Sequence, residues 1–438
     1  MIQRIRVKGL FGLYDYDIIF GNEPAVKLLT GPNGYGKTTL LIAIDHLYKG
    51  DFWYFHFLPF DNFTIKLAEQ EIEIKKINLK PDPLYEVSVV EETDADIYEE
   101  SFVLRDTQGN EIERMSINEE YIQGLLSSCR RRVSRESGVY RDEELIACFY
   151  NSVDDVYILS NCRNISLALQ EFDTRYLPAQ RIYNHVTTTL QPTYRTMRDT
   201  NYEIDRVNEE ISRLYRRTQS MFAQASQKID ATFISRLVKQ TESYSKEEMK
   251  VKLDALEKRI DGYKVLNLIS DMEVLDYSLD DEASYENLKT ALSLYVDDMN
   301  AKMDKFESLY QKISLYKRVV TSKVLSEKTV DFSEDGLTFT DVKGKLLRNL
   351  HKLSSGEQNL LILYYYLIFR SNSKTILLID EPENSLHVAW QDKMLDDYIE
   401  MAKTTGCQIV MATHSPTFVN GRWDLTTDLY RQYKGKDA

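Results

Sequence analysis

The feature that most constrains this chain is a glycine-rich stretch near its N-terminus, Gly31-Pro32-Asn33-Gly34-Tyr35-Gly36-Lys37-Thr38. It fits the pattern G-x-x-x-x-G-K-[ST] at every fixed position. A short apolar run, Val26 to Leu29, precedes it, and a helical pattern from Thr39 to Leu47 follows it. Glycines let backbone N–H groups wrap phosphates, and a helix N-terminus adds a favourable potential for anions. The stretch therefore predicts an α/β fold with a phosphate-binding loop.

Individual residues of this loop have separate expected roles. Lys37 is expected to reach the β- and γ-phosphates of a nucleotide, and the Thr38 hydroxyl is expected to bind Mg²⁺. The residues predicted to contact the nucleotide are Asn33, Gly34, Gly36, Lys37, Thr38 and Thr39.

A second candidate element is an apolar strand that ends in two carboxylates, Thr375-Ile376-Leu377-Leu378-Ile379-Asp380-Glu381. Asp380 at the strand tip suits Mg²⁺ coordination through water. Glu381 is placed to polarise an attacking water, a positioning task that dominates phosphoryl transfer. A strand that ends in Asp-Glu is common by itself, but together with the phosphate loop it predicts phosphoryl-transfer chemistry.

Two further segments lie near this strand. Leu353-Ser354-Ser355-Gly356-Glu357-Gln358 resembles the L-S-G-G-Q/E signature of ATP-binding-cassette (ABC) proteins, with Ser355 replacing the first glycine. The resemblance implies that Ser354 and Gly356 contact the γ-phosphate held by an opposite subunit. The residues alone also fit a helix cap in which Glu357 completes a capping box with Ser354. Thr413-His414-Ser415-Pro416 matches the switch histidine of the same superfamily.

The long interval between loop and signature, more than 300 residues, indicates a divided head domain. Alternating apolar residues between Phe63 and Asp106 predict an antiparallel β meander. From residue 195 to 327 the pattern favours two or three long helices that fold back as a coiled-coil arm. One predicted seam consists of Ile204, Val207, Ile211, Leu214, Thr218, Met221 and Ala225. We predict three segments: 1–194 and 328–438 as parts of an ABC-type ATPase head with a mixed sheet and an antiparallel β subdomain, and 195–327 as the helical insertion.

This layout resembles the SMC/RecF/OLD group of ATPases. The segment Glu381-Pro382-Glu383-Asn384-Ser385-Leu386-His387 is similar to the OLD and RecF-like branch, and His387 departs from the aspartate of ABC transporters. The resemblance implies ATP and Mg²⁺ as cofactors, with Glu381 and His414 as catalytic residues and Thr38 and Asp380 at the metal. Gln180 is a candidate for the family's Q-loop or an ordinary loop glutamine.

The chain ends 24 residues after His414 and so resembles stand-alone ATPase subunits of bacterial anti-phage operons. In its short arm and overall size the chain most resembles the AriA ATPases of PARIS systems, with the PtuA ATPases of Septu systems second. The resemblance implies a homodimer that sandwiches ATP, with higher oligomers of dimers as an option. It also implies a separate effector nuclease of Toprim or HNH type and a phage protein as trigger.

Two alternatives stay open at this point. One is a DNA-repair ATPase in which arginines contact DNA phosphates. The same arginines also fit solvated helix faces that pair with nearby acidic residues. They are Arg130, Arg131, Arg132, Arg213, Arg216 and Arg217. The other is a scaffold that binds ATP without turnover.

Composition narrows the options further. Lys and Arg number 55 against 69 Asp and Glu, for a net charge of −14, which argues against broad binding to nucleic acid across the whole surface. The apolar runs are shorter than the about 20 residues that a bilayer requires. The four cysteines form no C-x-x-C pair, so neither a metal site nor a disulfide framework is expected. We therefore expect a cytoplasmic protein.

Overall fold

The computed structural model of the chain describes residues 1–21, 25–79, 97–132, 146, 163–179, 202–269, 282–323, 328–341, 343–347, 350–384, 386 and 388–434. It divides into two compact units. The first comprises Met1–Thr200 and Arg370–Ala438, and the second comprises Asn201–Phe369. The phosphate loop, Asp380, Glu381 and His414 thus belong to the first unit, and the signature segment belongs to the second.

The described helices are, in chain order, α1 (Lys37–Lys49), α2 (Trp53–Phe57), α3 (Glu119–Arg132), α4 (Arg163–Gln170), α5 (Glu203–Leu237), α6 (Lys246–Val265), α7 (Glu282–Lys323), α8 (Ser355–Phe369), α9 (Val388–Thr405), α10 (Pro416–Val419) and α11 (Leu429–Lys434). The described strands are β1 (Arg4–Leu10), β2 (Tyr14–Ile19), β3 (Val26–Thr30), β4 (Asn62–Lys66), β5 (Gln70–Leu79), β6 (Ile97–Asp106), β7 (Glu111–Ile117), β8 (Asp173–Leu177), β9 (Lys328–Ser333), β10 (Gly336–Asp341), β11 (Leu346–Leu347), β12 (Thr375–Asp380), β13 (Gln408–Thr413) and β14 (Thr426–Asp428). Among the described helices, none is both long enough and apolar enough to cross a bilayer.

The first unit contains an antiparallel sheet in the order β2-β1-β4-β5-β6-β7. Strand β5 alternates as the sequence predicts, with Ile72 and Ile74 buried, whereas β6 is buried continuously from Glu100 to Leu104. Since alternate side chains of a strand point to opposite faces, this alternation covers one face of the sheet with apolar groups. The predicted antiparallel meander is confirmed by the pairing of β4, β5, β6 and β7.

A second sheet of the same unit has the order β14-β3-β13-β12-β8, and all of its neighbouring strands are parallel. Every residue of β12 and β13 is buried. Continuous burial is typical of parallel strands that are covered on both faces, and it explains their uninterrupted apolar sequence.

Helix α1 lies in the core that the two sheets share. Its buried residues pack in one cluster with residues of both sheets: Leu40, Leu41, Ile44 and Leu47 with Ile5, Ile72, Leu378 and Val410. The helix ends at Gly50, whose φ of 79° is left-handed and whose N–H bonds the carbonyls of His46 and Leu47. This C-terminal cap favours glycine because the left-handed region is strained for other residues. The mixed α/β class is confirmed.

The second unit contains the three long helices. Helix α7 packs against both α5 and α6. With 35 residues in α5 and 42 in α7, these helices are roughly 50 and 60 Å long at the usual rise per residue. The predicted helical insertion is confirmed.

The seam of α5 follows the predicted heptads only in its first part. Ile204, Val207 and Ile211 are buried, but Met221 is 47% exposed. Phe222 occupies the inward position and its ring lies 4.9 Å from that of Phe306. The prediction for Met221 was wrong because a straight α-helix drifts relative to a strict heptad repeat, so the buried stripe moves to the neighbouring residue.

The rest of the second unit is a small antiparallel sheet, β11-β10-β9, and the buried helix α8. Gly336 has a φ of 97° in the predicted turn between β9 and β10. The Tyr316 hydroxyl of α7 donates to the Leu361 carbonyl of α8 at 3.0 Å. The domain boundaries predicted at residues 194 and 327 stay predictions.

The core of the helical arm offers a test of this packing. Phe306 is fully buried and contacts the rings of Phe222 and Tyr263. Replacing it with alanine should lower the free energy of unfolding by about 3–5 kcal/mol, because it leaves a cavity in a closed apolar cluster. Val238→Ala is the control, since Val238 is 82% exposed on the same arm and should change stability by less than about 0.5 kcal/mol. Chemical denaturation followed by circular dichroism measures both, and equal effects would contradict the described core.

Candidate functional site

Three neighbouring strands of the parallel sheet end at the same edge. Thr413 of β13 pairs with Thr30 of β3, and Asp380 of β12 pairs with Ala412 of β13. The residues that follow these strands, Gly31, Glu381 and His414, therefore leave the sheet side by side. Ligands of open α/β sheets bind at the carboxyl ends of the strands, which makes this edge the candidate site.

The phosphate loop connects β3 to α1 through left-handed glycines. Gly34 has a φ of 88° and Gly36 a φ of 77°, and both values disfavour residues with a side chain. Gly36 is the N-cap of α1, where no side chain caps the helix and no acidic residue occupies the first turn. The first N–H groups of the helix are thus directed at the loop, and the helix dipole favours an anion there. Asn33, Gly34 and Thr38 are exposed, and Thr39 is half-buried.

Lys37 is the buried cation of this site. Its side chain curls over the loop and Nζ donates to the carbonyls of Gly31 at 2.8 Å and Pro32 at 2.9 Å. Burial lowers the pKa of Lys37, and the negative charges of Asp380, Glu381 and Glu383 oppose that shift. These carboxylates thus act electrostatically on the lysine that the sequence assigns to the phosphates.

The two predicted metal residues come together although they are 342 positions apart. The Thr38 hydroxyl donates to Asp380 Oδ2 at 2.9 Å, and the Tyr176 hydroxyl lies 3.5 Å from the same oxygen. Among the described residues no group of three or more His, Cys, Asp or Glu could hold a metal ion. Mg²⁺ typically takes only one or two protein oxygens and completes its shell with water and phosphate, so Thr38 and Asp380 fit this ion.

Glu381 and His414 face each other across the edge. His414 Nδ1 lies 3.4 Å from Glu381 Oε1, and both side chains are accessible. Glu381 has a left-handed φ of 43°, and its N–H donates to the Ala412 carbonyl at 2.9 Å. A left-handed residue that is not glycine costs on the order of 1–3 kcal/mol, and such strain concentrates at functional sites.

Glu383 is a residue that the sequence reading did not assign to the site. Its side chain is 5% exposed, and Oε1 accepts from the Thr413 hydroxyl at 2.6 Å and from the His414 amide at 3.3 Å. It therefore fixes the backbone that carries His414. The sequence carried no signal for this role, because the burial of Glu383 and its partners at the end of β13 arise only in the folded chain.

The signature segment forms a helix cap in the second unit. The Ser354 amide donates to Glu357 Oε2 at 2.7 Å, and the Ser354 hydroxyl accepts from the Glu357 amide at 3.3 Å. These two reciprocal hydrogen bonds form a capping box, which is one of the two interpretations that the sequence allowed for this segment. Lys328 of β9 donates to the other oxygen of Glu357. Gly356 is buried in the first turn of α8, and the contact of Ser354 and Gly356 with a nucleotide stays a prediction.

Two predicted positions, Gln180 and His387, lie outside the described residues. Their neighbours are described, and the Asn384 side chain donates to the Ala179 carbonyl at 3.1 Å. This bond ties the segment after Glu381 to the end of β8, directly before Gln180. The Q-loop role of Gln180 stays a prediction.

Comparison with known proteins identifies the class. The AAA ATPase domain family matches residues 1–419, nearly the whole chain. The chain belongs to this family. Membership of the AAA ATPase domain family confirms the predicted ATPase class, for which ATP is the nucleotide.

One curated relative of this AAA ATPase is the thiamine import ATP-binding protein ThiQ of Chelativorans sp. (strain BNC1), 35% identical over 82 residues. The match covers 19% of this chain and 32% of ThiQ, so it spans about a third of that relative. Similar solved structures include the Smc head domain with an extended coiled coil bound to the C-terminal domain of ScpA from Pyrococcus furiosus (13% identity, TM-score 0.35, covering 95% of this chain and 90% of that one). Another is the SmcHead bound to the C-winged helix domain of ScpA (11% identity, TM-score 0.34, covering 95% and 91%).

The electrostatics of the site predict the effect of removing its buried cation. Lys37→Ala should weaken ATP binding by about 100-fold, because a charge-assisted contact is lost while the surrounding carboxylates remain. Lys49→Ala is the matched control on the same helix, since Lys49 pairs with Asp45 and is half-exposed. Equilibrium dialysis with labelled ATP measures both affinities. Similar affinities for the two variants would contradict the assignment of Lys37.

Proposed function

We propose that this AAA ATPase is a nucleotide-gated dimeric switch that hydrolyses ATP. In each of two sites, Lys37, Thr38, Asp380, Glu381 and His414 of one chain bind ATP–Mg²⁺. Ser354 and Gly356 of the second chain contact the terminal phosphate. The observation that carries the proposal is the single edge at which the phosphate loop, the Asp-Glu strand end and His414 converge.

The chemistry follows from the positions of this chain's own residues. Lys37 and the N–H groups at the start of α1 neutralise and orient the phosphates, which is the main requirement of phosphoryl transfer. Bound Mg²⁺ would supply further charge neutralisation at the phosphate oxygens. Glu381 accepts a hydrogen bond from the attacking water and orients it. His414, 3.4 Å from Glu381, lies where it can contact the same phosphate.

The second chain's contribution rests on the start of α8. Ser354 offers a hydroxyl at the N-terminus of a 15-residue helix, where the helix dipole favours an anion. Binding energy from two phosphates then favours the closed dimer over the open state, which is how a ligand shifts a two-state equilibrium. The arm helices α5 and α7 contact α8 within the second unit, so closure is transmitted to the arm.

For the biological role, we propose a regulatory ATPase subunit of a bacterial anti-phage system, acting in the cytoplasm on a separate effector nuclease of Toprim or HNH type. Two features support this assignment: a helical arm that is short, as in the AriA ATPases, and the OLD-like segment that begins at Glu381-Pro382-Glu383. A phage protein is the proposed trigger that releases the nuclease. The gene beside this one tests the assignment, because a neighbour without a nuclease domain would contradict it.

A DNA-repair role gains no support from the arm arginines. Arg213 pairs with Glu209 at 3.3 Å, and Arg216 lies 3.7 Å from Asp335. Such exposed ion pairs are ordinary features of a solvated helix face. Arg131 and Arg132 have side chains outside the described set.

Blocking hydrolysis should trap the proposed dimer. Glu381→Gln keeps the shape of the side chain but removes the acceptor charge that orients water, so the protein should retain ATP and remain dimeric. Size-exclusion chromatography with light scattering, at saturating ATP–Mg²⁺, measures the mass. A Glu381→Gln protein that stays monomeric while it holds ATP would exclude the sandwich.

Mixing two inactive variants tests whether each site uses two chains. Lys37→Ala and Ser354→Ala should each abolish hydrolysis alone. In a mixed dimer both changes fall in one site and the other site is intact, so an equal mixture should regain about a quarter of the wild-type rate. A phosphate-release assay measures the recovery. If one chain supplied both residues to its own site, every site would carry a defect and no activity would return.

A further inference from the structure

A cluster of five tyrosines lies behind the phosphate loop, formed by Tyr14, Tyr16, Tyr35, Tyr430 and Tyr433. Tyr16 is 3% exposed, and its hydroxyl donates to the Tyr35 carbonyl at 2.8 Å. Tyr35 is part of the phosphate loop itself. The bond therefore joins strand β2 to the loop backbone.

The geometry of the peptide unit gives this bond a consequence. The Tyr35 carbonyl shares its peptide plane with the Gly36 N–H, and in a trans peptide the C=O and N–H point in opposite directions. When Tyr16 holds the carbonyl on the β2 side, the Gly36 N–H is turned to the opposite side. Gly36 is the N-cap of α1, with a φ of 77°, and a glycine so placed could turn over at little steric cost. The hydrogen bond from the Tyr16 hydroxyl therefore prevents the Tyr35–Gly36 peptide from turning over.

The aromatic rings hold the donor and the loop in place. Tyr14 stacks on Tyr16 with centroids 5.7 Å apart and rings 10° from parallel. The Tyr35 ring lies 5.4 Å from Tyr14, 5.3 Å from Tyr430 and 6.1 Å from Tyr433. These separations are those of favourable aromatic pairs.

The C-terminal helix α11 supplies two of those rings and is itself anchored on β2. Gln432 accepts from the Asp17 amide at 2.9 Å and donates to the Asp17 carbonyl at 2.7 Å. The same helix backs onto the start of the loop, because a Cβ added to Gly31 would lie 3.5 Å from the Tyr430 nitrogen. Strand β2 and helix α11 thus support the loop from one side.

We propose that Tyr16 is a positioning residue for nucleotide binding: its buried hydroxyl fixes the Tyr35–Gly36 peptide so that the Gly36 N–H faces the phosphates. The inference rests on the proposed binding of ATP at this loop. Burial raises the pKa of Tyr16, so the phenol stays protonated and remains a donor at every physiological pH.

The test compares two Tyr→Phe variants in the full-length protein. Tyr16→Phe keeps the ring and loses the hydroxyl, and it should raise the Kd for ADP and the KM for ATP about tenfold, with kcat within about twofold of wild type. Tyr14→Phe is the control, because its ring is in the same stack and its hydroxyl is not bonded to any described residue. It should leave both constants within about twofold.

Inorganic pyrophosphate, used as a competitor against fluorescent ADP, shows whether the variant loses contacts with the phosphates or with the nucleoside. Tyr16→Phe should weaken the binding of pyrophosphate and the binding of ADP by the same factor. A loss confined to ADP would overturn the inference, because the tyrosines would then act on the nucleoside.

Two other outcomes are also decisive. A Tyr16→Phe protein that melts earlier, yet binds ADP with wild-type affinity in its folded fraction, would show that Tyr16 only packs the core. In that case the proposed function stands if Lys37→Ala weakens nucleotide binding by about 100-fold. A wild-type chain that binds neither ADP nor ATP would instead refute the proposed function, and this inference with it.

Discussion

The parallel register of β3, β13 and β12 is the constraint on which the site depends. Thr30 pairs with Thr413, and Ala412 pairs with Asp380. The loops that follow these three strands are distant in sequence, and this register makes them begin side by side at one edge of the sheet. A shift of one residue would turn every side chain of a strand to the opposite face. The N–H of Glu381 continues the pairing beyond the end of β12 by donating to the Ala412 carbonyl. That bond holds Glu381 in its left-handed conformation, so the strain at this residue is maintained by the sheet.

The same edge concentrates negative charge. Asp380, Glu381 and Glu383 act on a single buried ammonium, that of Lys37. At an effective dielectric constant near 20, unit charges about 4 Å apart interact by about 4 kcal/mol. A polyphosphate brought alone to this edge would therefore be opposed by the carboxylates. Under the proposed function, Thr38 and Asp380 would hold Mg²⁺, and the positive charge of that ion would offset the repulsion between the carboxylates and the phosphates.

The parts of the site that could be predicted from sequence are those encoded in short contiguous segments. The phosphate loop needs glycines at fixed spacing, and β12 is recognisable in the sequence as an apolar run that ends in Asp380 and Glu381. Glu383 and Tyr16 could not be assigned in this way, because their roles come from partners on other strands. Glu383 becomes part of the site only when β13 brings Thr413 within 2.6 Å, and Tyr16 only when β2 lies beside the loop. Met221 shows the converse, since a local repeat predicted burial and the drift of a long helix selected Phe222.

The capping box at the start of α8 sets a condition on any phosphate contact by Ser354. A serine hydroxyl has a single proton, and here it faces Glu357 Oε2 at 3.0 Å. To donate to a phosphate, Ser354 must give up that acceptor. Glu357 is buried and also bonds Lys328, so its charge stays neutralised after the exchange. Lys328 begins the strand that follows arm helix α7 in the chain, and β9 packs against that helix. If Ser354 contacts a phosphate as proposed, the lysine that neutralises Glu357 during the exchange is therefore one whose strand packs against arm helix α7.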